Sequence, residues 1–178
     1  MTLDIITIPC LSDNYAYLVK GAAPDEVAVV DAPEAAPIIA ALEARGWSPS
    51  VILLTHHHGD HTAGVADLVA RYGAKTVGPK AEAGKMPPLD QAVSEGDTGG
   101  TGAFAWEVIE VPGHTLGHIA FHFPAAQAVF TADSLMALGC GRVFEGTPEM
   151  MWESLSKLAA LPPPPRVYSG HEYTMAYA

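Results

Sequence analysis

The sequence predicts an α/β fold, because short runs of apolar and β-branched residues alternate along the chain with amphipathic segments that end at glycine. A length of 178 residues corresponds to one domain, residues 1–178, at roughly 100 to 200 residues per domain. Hydrophobic residues make up 49% of the chain, which is enough to form apolar layers without disulfide bonds. We therefore expect one layered domain around a buried sheet.

The first half of the chain predicts a sheet that begins as a meander and continues as strand–helix units. Turn residues separate the predicted strands, and the predicted helices carry apolar residues on one face and stop at Gly46 and Gly73. The strands are predicted at 3–8, 15–19, 26–30 and 51–54, and the helices at 34–45 and 62–72.

The second half predicts elements of both kinds after a long irregular segment. Residues 78–102 are rich in glycine, proline and charged residues, which indicates mostly surface loop with at most one short strand. Strands are predicted at 106–111, 118–123, 128–131 and 167–169. A helix is predicted at 148–161, with Thr147 as its N-terminal cap and prolines 162–165 at its end.

Composition argues against several kinds of partner. The chain has 20 acidic and 9 basic residues, a formal charge of -11 and no Lys/Arg cluster, which disfavours nucleic acid and anionic membranes as partners. No uncharged apolar run approaches the ~18 residues that would span a bilayer, and the N-terminus lacks the features of a signal peptide. Cys10 and Cys140 lie far apart without CxxC spacing. We expect a cytoplasmic protein with reduced thiols.

A histidine-rich motif follows the predicted strand at 51–54. Residues 55–61 read Thr-His-His-His-Gly-Asp-His. Alternate side chains at the end of a strand can lie on one side, so His56 and His58 can bind one metal ion. Asp60 and His61 lie where a helix would begin and can serve a second ion. A solvent-exposed histidine loop or a tag is the alternative, but tags lie at termini and lack a flanking buried strand.

Three further strand ends carry a histidine or an aspartate. In an α/β sandwich such ends gather along one rim, so these residues can complete two ligand sets. The sets are His56, His58 and His114 for one ion, and Asp60, His61 and His171 for the other, with Asp133 bridging them. Imidazole and carboxylate donors without thiolate suit zinc, iron(II) or manganese(II) and leave positions for water, as a catalytic site requires. Asp60 and Asp133 are the predicted catalytic carboxylates.

Three histidines fall outside these sets. His57 lies between two ligands, so we expect it to point away and to support the site or pack. His118 could orient its loop or pair with a ligand carboxylate, and His122 alternates with phenylalanines and is expected to be structural.

These motifs resemble the metallo-β-lactamase superfamily and, within it, glyoxalase II, the hydroxyacylglutathione hydrolases. The segments that carry the resemblance are 9–15, 55–61, 112–118, 130–134, 139–146 and 170–174. The histidine motifs are shared across the superfamily. Gly-Cys-Gly-Arg with Phe-Glu-Gly, and Gly-His-Glu-Tyr, are much more specific to glyoxalase II.

The resemblance implies a four-layer αβ/βα sandwich with two divalent metal ions, for which we expect zinc, with iron or manganese as the alternatives. It further implies hydrolysis of the thioester S-D-lactoylglutathione to D-lactate and glutathione by a metal-activated hydroxide. Arg142, Phe144 and Tyr173 fall where family members contact the glutathione moiety, and Phe144 stands where a tyrosine is common. Glyoxalase II usually continues into a C-terminal helical domain with basic residues, which we expect this chain to lack.

Three other interpretations stay open at the level of sequence. The chain could be an open-pocket thioesterase or another hydrolase of the superfamily. It could be a persulfide dioxygenase with a single iron, although the complete second ligand set argues against that. It could also be a copy that binds metal without useful turnover.

Overall fold

Two mixed sheets form the centre of the fold in the computed structural model, which describes residues 3–162 and 164–178. The first sheet contains β1 (Asp4–Cys10), β2 (Asn14–Lys20), β3 (Val27–Val30), β4 (Val51–Leu53), β5 (Lys75–Pro79) and β6 (Gln91–Val93), side by side in that order. The second contains β7 (Thr98–Gly99), β8 (Trp106–Glu110), β9 (Ile119–Phe123), β10 (Ala128–Ala132) and β11 (Arg166–Ser169), in the order β11-β10-β9-β8-β7.

Pairing within the sheets follows the predicted mixture of hairpins and crossovers. Strands β1 to β3 pair antiparallel, as the predicted meander requires, and β3 to β6 pair parallel. In the second sheet only β10 and β11 are parallel. The helices are α1 (Ala35–Glu43), α2 (Gly59–Thr62), α3 (Val65–Tyr72), α4 (Pro148–Ala159) and α5 (Thr174–Tyr177).

Side chains alternate across the strands, so each sheet faces two apolar layers. On β2, Ala16 and Leu18 join a cluster with α1 and α3, whereas Tyr17 and Val19 join the cluster between the two sheets. Leu158 of α4 packs against the outer face of the second sheet. The layers therefore run helix, sheet, sheet, helix, and the predicted αβ/βα sandwich is confirmed.

All three predicted helices are two or three residues shorter than their predicted bounds. The predicted helix at 62–72 is preceded by α2, which contains Asp60 and His61, and α3 ends at Gly73 with a φ of 66°. Thr147 caps α4 by accepting a hydrogen bond from the Met150 backbone N–H, as predicted. Of the prolines expected to end α4, Pro163 lies outside the described residues.

Residues 78–102 are mostly irregular and exposed, as predicted, but they contain more strand than expected. The segment completes β5, contains β6 and β7, and includes one short 3-10 turn and the start of another. Its strands are held by neighbours: Leu54 donates to the Val77 carbonyl at 2.8 Å, and β6 pairs with β5. These pairings depend on neighbouring strands, so they produce no regular spacing of apolar residues in the sequence.

No helix within the described residues is long and apolar enough to cross a bilayer.

Candidate metal centre

The donor residues follow strand ends, and local backbone features direct them inward. Hydrogen bonds from the Thr55 N–H and hydroxyl to Asp31, at 2.9 and 2.8 Å, hold the loop after β4. Strand β4 stops at Leu53, so His56 and His58 converge through this loop and not through strand alternation. On β10, a register shift after Phe130 and a φ of 43° at Ala132 turn Asp133 out of the ladder.

The first donor set is His56, His58 and His114. His56 Nε2 lies 3.2 Å from His58 Nδ1, which lies 3.0 Å from His114 Nε2. Ligand bonds of about 2.0 to 2.1 Å in tetrahedral geometry place donor atoms about 3.3 Å apart, so these nitrogens fit one ion. His56 and His114 are buried, whereas His58 is partly exposed to the cavity.

The second donor set is Asp60, His61 and His171. The Nε2 atoms of His61 and His171 are 3.3 Å apart, and Asp60 Oδ2 lies 3.6 and 3.4 Å from them. The His61 and His171 side chains are buried, and the Asp60 side chain opens to the cavity. The spacing and the donor types fit a second divalent ion.

Asp133 lies between the two sets. Its Oδ2 is 3.2 Å from His114 Nε2 and 3.3 Å from His171 Nε2, and its Oδ1 is 3.3 Å from His61 Nε2. Among the described residues, the buried Oδ1 accepts no aligned hydrogen bond, so it retains a lone pair for a cation. This geometry suits a carboxylate that bridges two metal ions.

The far nitrogens of four of the five donor imidazoles are anchored. His61 Nδ1 pairs with Asp31 and His171 Nδ1 with Asp13, both at 2.9 Å. His114 Nδ1 donates to the Arg142 carbonyl at 2.7 Å, and His56 Nδ1 lies 3.0 Å from the Thr55 hydroxyl. Such partners fix the ring orientation and the tautomer, leaving the nitrogen that faces the site free for metal.

The two sets differ in the pKa values of their histidines. Burial and the neighbouring His61 hold the pKa of His56 well below its usual value, and burial beside His114 lowers that of His58. Burial works to lower the pKa of His61 too, but Asp133 and Asp31 outweigh it and raise that pKa to about 10. Asp133 and Asp60 likewise outweigh burial and raise the pKa of His171 to about 10.

The two carboxylates show the matching shifts. The hydrogen bond from His171 lowers the pKa of Asp60 below its usual range. Burial works to raise the pKa of Asp133, but His171 and His61 lower it well below that range. The two carboxylates and the two imidazoles therefore shift one another's pKa values in opposite directions.

Metal binding at the second set should therefore depend steeply on pH. Below pH 10, His61 and His171 carry protons that an ion must displace, so affinity rises with pH by roughly tenfold per unit for each proton released. His56 and His58, with lowered pKa values, are already neutral above pH 7. Calorimetric zinc titrations in buffers of different ionisation enthalpy count the protons, and equal release by both ions would contradict the assignment.

The three remaining histidines have separate roles. His57 turns away from the donor sets and pairs with Glu82 at 2.8 Å. His118 stacks on His56, a predicted ligand, at 4.5 Å, and its Nδ1 lies 3.3 Å from the Ser134 hydroxyl. Among the described residues it pairs with no carboxylate, so it packs against the site instead. His122 pairs with Glu107 on the neighbouring strand, in keeping with a structural role.

A cavity of about 470 Å³ opens above the donors and is lined by the predicted substrate-binding residues Arg142, Phe144 and Tyr173. The Phe144 ring lies 5.2 Å from that of His114 and is 62% exposed. The Tyr173 ring stacks on His171 at 4.7 Å. All three residues therefore adjoin the predicted metal ligands.

Sequence reasoning missed the carboxylates behind the ligands. Asp31 follows β3 directly, so the rule that found the other donors at strand ends could have found it as well. Asp13 and Asn14 lie within the segment 9–15 that carried the family resemblance, but nothing in that segment shows their roles. Asn14 Nδ2 donates to Asp60 Oδ2 at 3.0 Å and to its carbonyl at 2.9 Å.

Comparisons with known proteins agree with this arrangement. Residues 12–171 match the family model described as the metallo-beta-lactamase superfamily. The hydroxyacylglutathione hydrolase of Ruegeria pomeroyi is 61% identical over 178 residues, which are 100% of this chain and 70% of that protein. The corresponding protein of Cereibacter sphaeroides is 60% identical over the same shares.

One solved structure is also similar along most of its length. The crystal structure of BLEG-1 B3 metallo-beta-lactamase gives a TM-score of 0.86 at 22% identity, covering 95% of this chain and 92% of that one. At that identity the likeness shows the fold alone. The family model and the relatives about 60% identical confirm the resemblance seen in the sequence. The chain belongs to the metallo-beta-lactamase superfamily and, within it, to the hydroxyacylglutathione hydrolases.

Proposed function

We propose that this chain hydrolyses S-D-lactoylglutathione to D-lactate and glutathione with two divalent metal ions, for which zinc suits the donors best. The observation that carries the proposal is the arrangement of two donor sets around Asp133 at the floor of a cavity. Relatives about 60% identical carry the name hydroxyacylglutathione hydrolase, which supports the substrate.

When bound, two divalent ions supply an activated water and an electrophile for the thioester carbonyl. The protein's own part is to hold the donors in place. Asp13 and Asp31 orient two imidazoles, and Asp133 keeps both sets at a common centre. The thiol product, with a pKa near 8.5, leaves as a thiolate without a dedicated acid.

The substrate side of the site combines one cation with aromatic surface. Arg142 can pair with a glutathione carboxylate, which matters in a chain with a formal charge of -11. Phe144 offers an apolar contact without the hydroxyl that a tyrosine would add. Tyr173 is fixed by its stacking on His171.

Replacing Arg142 with Gln should raise KM for lactoylglutathione about tenfold, since a hydrogen bond to a charged group contributes roughly 1.5 to 3 kcal/mol, and leave kcat within about threefold. Thiol-release kinetics measure both constants. The control is Arg45→Gln, just after α1, where the guanidinium donates to the Ala41 carbonyl and lies over the Trp47 ring, away from the cavity. An unchanged KM in the Arg142 variant would remove this residue from the substrate site.

A broader thioesterase activity is the second candidate, because exposed aromatic side chains line the cavity. Phe144 is 62% exposed and Tyr177 40% exposed, so this surface can accept acyl or thiol groups of several shapes. Comparing lactoylglutathione with a simple acyl thioester separates the candidates. Equal kcat/KM values would favour the broad thioesterase, and a clear preference for lactoylglutathione would favour the first proposal.

The second donor set weighs against the two remaining interpretations. A dioxygenase with one iron has no use for Asp60, His61 and His171 grouped beside the first set. In both sets, imidazole nitrogens that face away from the site have hydrogen-bond partners that orient the rings for metal binding. Such ordered ligands are not expected in an inactive copy. Oxygen consumption with glutathione persulfide, or zinc-loaded protein without thiol release, would restore either interpretation.

A further inference from the structure

A buried carboxylate outside the donor sets connects the two loops that supply the three-histidine set. Glu82 ends the 3-10 turn Lys80–Glu82 and is 3% exposed. Its Oε2 accepts from the His57 backbone N–H and lies 2.8 Å from His57 Nδ1, while its Oε1 accepts from the Gly117 N–H at 3.0 Å. One side chain thus holds two separate loops.

Both loops end in metal ligands. His57 lies between His56 and His58, and Gly117 lies in the same turn of chain as His114. Because His56, His58 and His114 must converge within a few tenths of an ångström, the relative position of these loops decides whether they fit one ion. Glu82 fixes that position from behind the ligands.

Glu145 forms a second, outer link between the same loops. Its Oε2 accepts from the Leu116 N–H at 3.0 Å, and its Oε1 lies 3.0 Å from Lys85 Nζ and 3.6 Å from His57 Nε2. The His57 ring is therefore held between two carboxylates. This link is more exposed than the one through Glu82.

Glycine at position 117 allows the close approach. A Cβ atom there would lie 2.5 Å from Glu82 Cγ and 2.9 Å from Ala81 Cβ, both too short for a real contact. The backbone N–H can reach the carboxylate only because this side chain is absent. Glu82 and Gly117 therefore fit each other as a pair.

His57, Glu82 and Glu145 are close enough to hold an ion of their own. Their donor atoms are already engaged, however: the Glu82 oxygens take three N–H groups, and Lys85 supplies a cation to Glu145. A third metal would have to break these contacts. The cluster is better explained as a structural brace, meaning a set of contacts through Glu82 and Glu145 that holds the two loops together, than as a metal site.

We propose that Glu82 is a positioning residue for the metal site formed by His56, His58 and His114, an inference that rests on the metal centre of the proposed function. Glutamine has nearly the same shape but only one acceptor oxygen. Its NH2 group would face the N–H of either His57 or Gly117, so one loop would be released.

The test is stepwise zinc binding by the parent chain and by Glu82→Gln, measured by competition with a chromophoric chelator. We expect one of two zinc equivalents to bind 10- to 100-fold more weakly, the range typical for loss of a group that orients metal ligands. The weakened equivalent should be the one that His171→Ala retains, since that variant loses a ligand of the second set only, and the other should stay within about threefold.

Asp90→Asn is the matched control. Asp90 Oδ2 accepts from the Thr76 N–H at 2.8 Å and from its hydroxyl at 3.1 Å, so it is also a carboxylate that braces backbone, but it lies away from the donors. We expect this variant to lower the melting temperature and to leave both zinc affinities unchanged.

Gly117→Ala is the second variant and decides the matter if Glu82→Gln does not fold, since its Cβ pushes the brace apart without removing a charge. It should weaken the same zinc equivalent. Unchanged affinities, or equal weakening of both equivalents, would overturn the role of Glu82. A parent chain that binds fewer than two zinc ions would instead overturn the proposed metal centre.

Discussion

Replacing Asp133 with Ala is expected to abolish binding of at least one metal ion and to lower kcat/KM by about 10³-fold or more. Asp133 is 5% exposed and contacts ligands of both sets, at 3.2 Å to His114 and 3.3 Å to His61 and His171. Its loss removes the shared carboxylate. Metal ions stabilise the charge of a transition state by several kcal/mol, and about 1.4 kcal/mol corresponds to tenfold in rate.

Metal analysis by mass spectrometry and thiol-release kinetics measure this effect. The control is Asp67→Ala, an exposed aspartate in the first turn of α3, which removes the same charge far from the cavity. It should keep both ions and full turnover. An Asp133 variant that retains two ions and parental activity would refute the bridging role.

Replacing Gly170 with Ala is expected to reduce turnover by about 10²-fold while the protein stays folded. A Cβ at this position would lie 2.4 Å from Asp133 Oδ1 and 2.8 Å from His61 Cε1. Gly170 is held by its N–H bond to the Ala132 carbonyl at 3.0 Å, so the two side chains must move instead. A displacement of about 1 Å in a catalytic group can cost 10²-fold in rate.

The control for this prediction is Gly84→Ala, where a new Cβ meets no atom within 4 Å. It should leave kinetics and melting temperature close to those of the parent. If Gly170→Ala were as active as Gly84→Ala, the close packing of Asp133 and His61 against the backbone would have no bearing on catalysis.

The sequence predicted best those strands and helices whose buried faces produce a regular spacing of apolar residues. The apolar runs of β2 to β4 and the amphipathic faces of α1 and α3 predicted the layers, because both faces of the first sheet are covered. It failed for β5 and β6, where Gly78, Pro79 and short strand lengths resemble a loop and only neighbouring strands specify the pairing.

In the candidate site, too, some residues could be predicted from the sequence and others could not. The ligand types and the strand ends that carry them were visible, and the structure brings all seven predicted ligands together. The residues that support these ligands could not be predicted, because they are distant in sequence. Asp31 lies 30 residues from His61, and Asp13 lies 158 residues from His171. Glu82 lies 25 residues from His57. Contacts at such separations follow from the fold, which a local pattern does not encode.

Native mass spectrometry of the zinc-loaded chain tests the central claim most directly, because it counts bound ions on the intact protein. The account predicts two zinc ions on the parent chain and one on His171→Ala, which loses a ligand of the second set only. A parent chain that holds no more than one ion after loading at pH 8 would contradict the paired metal centre.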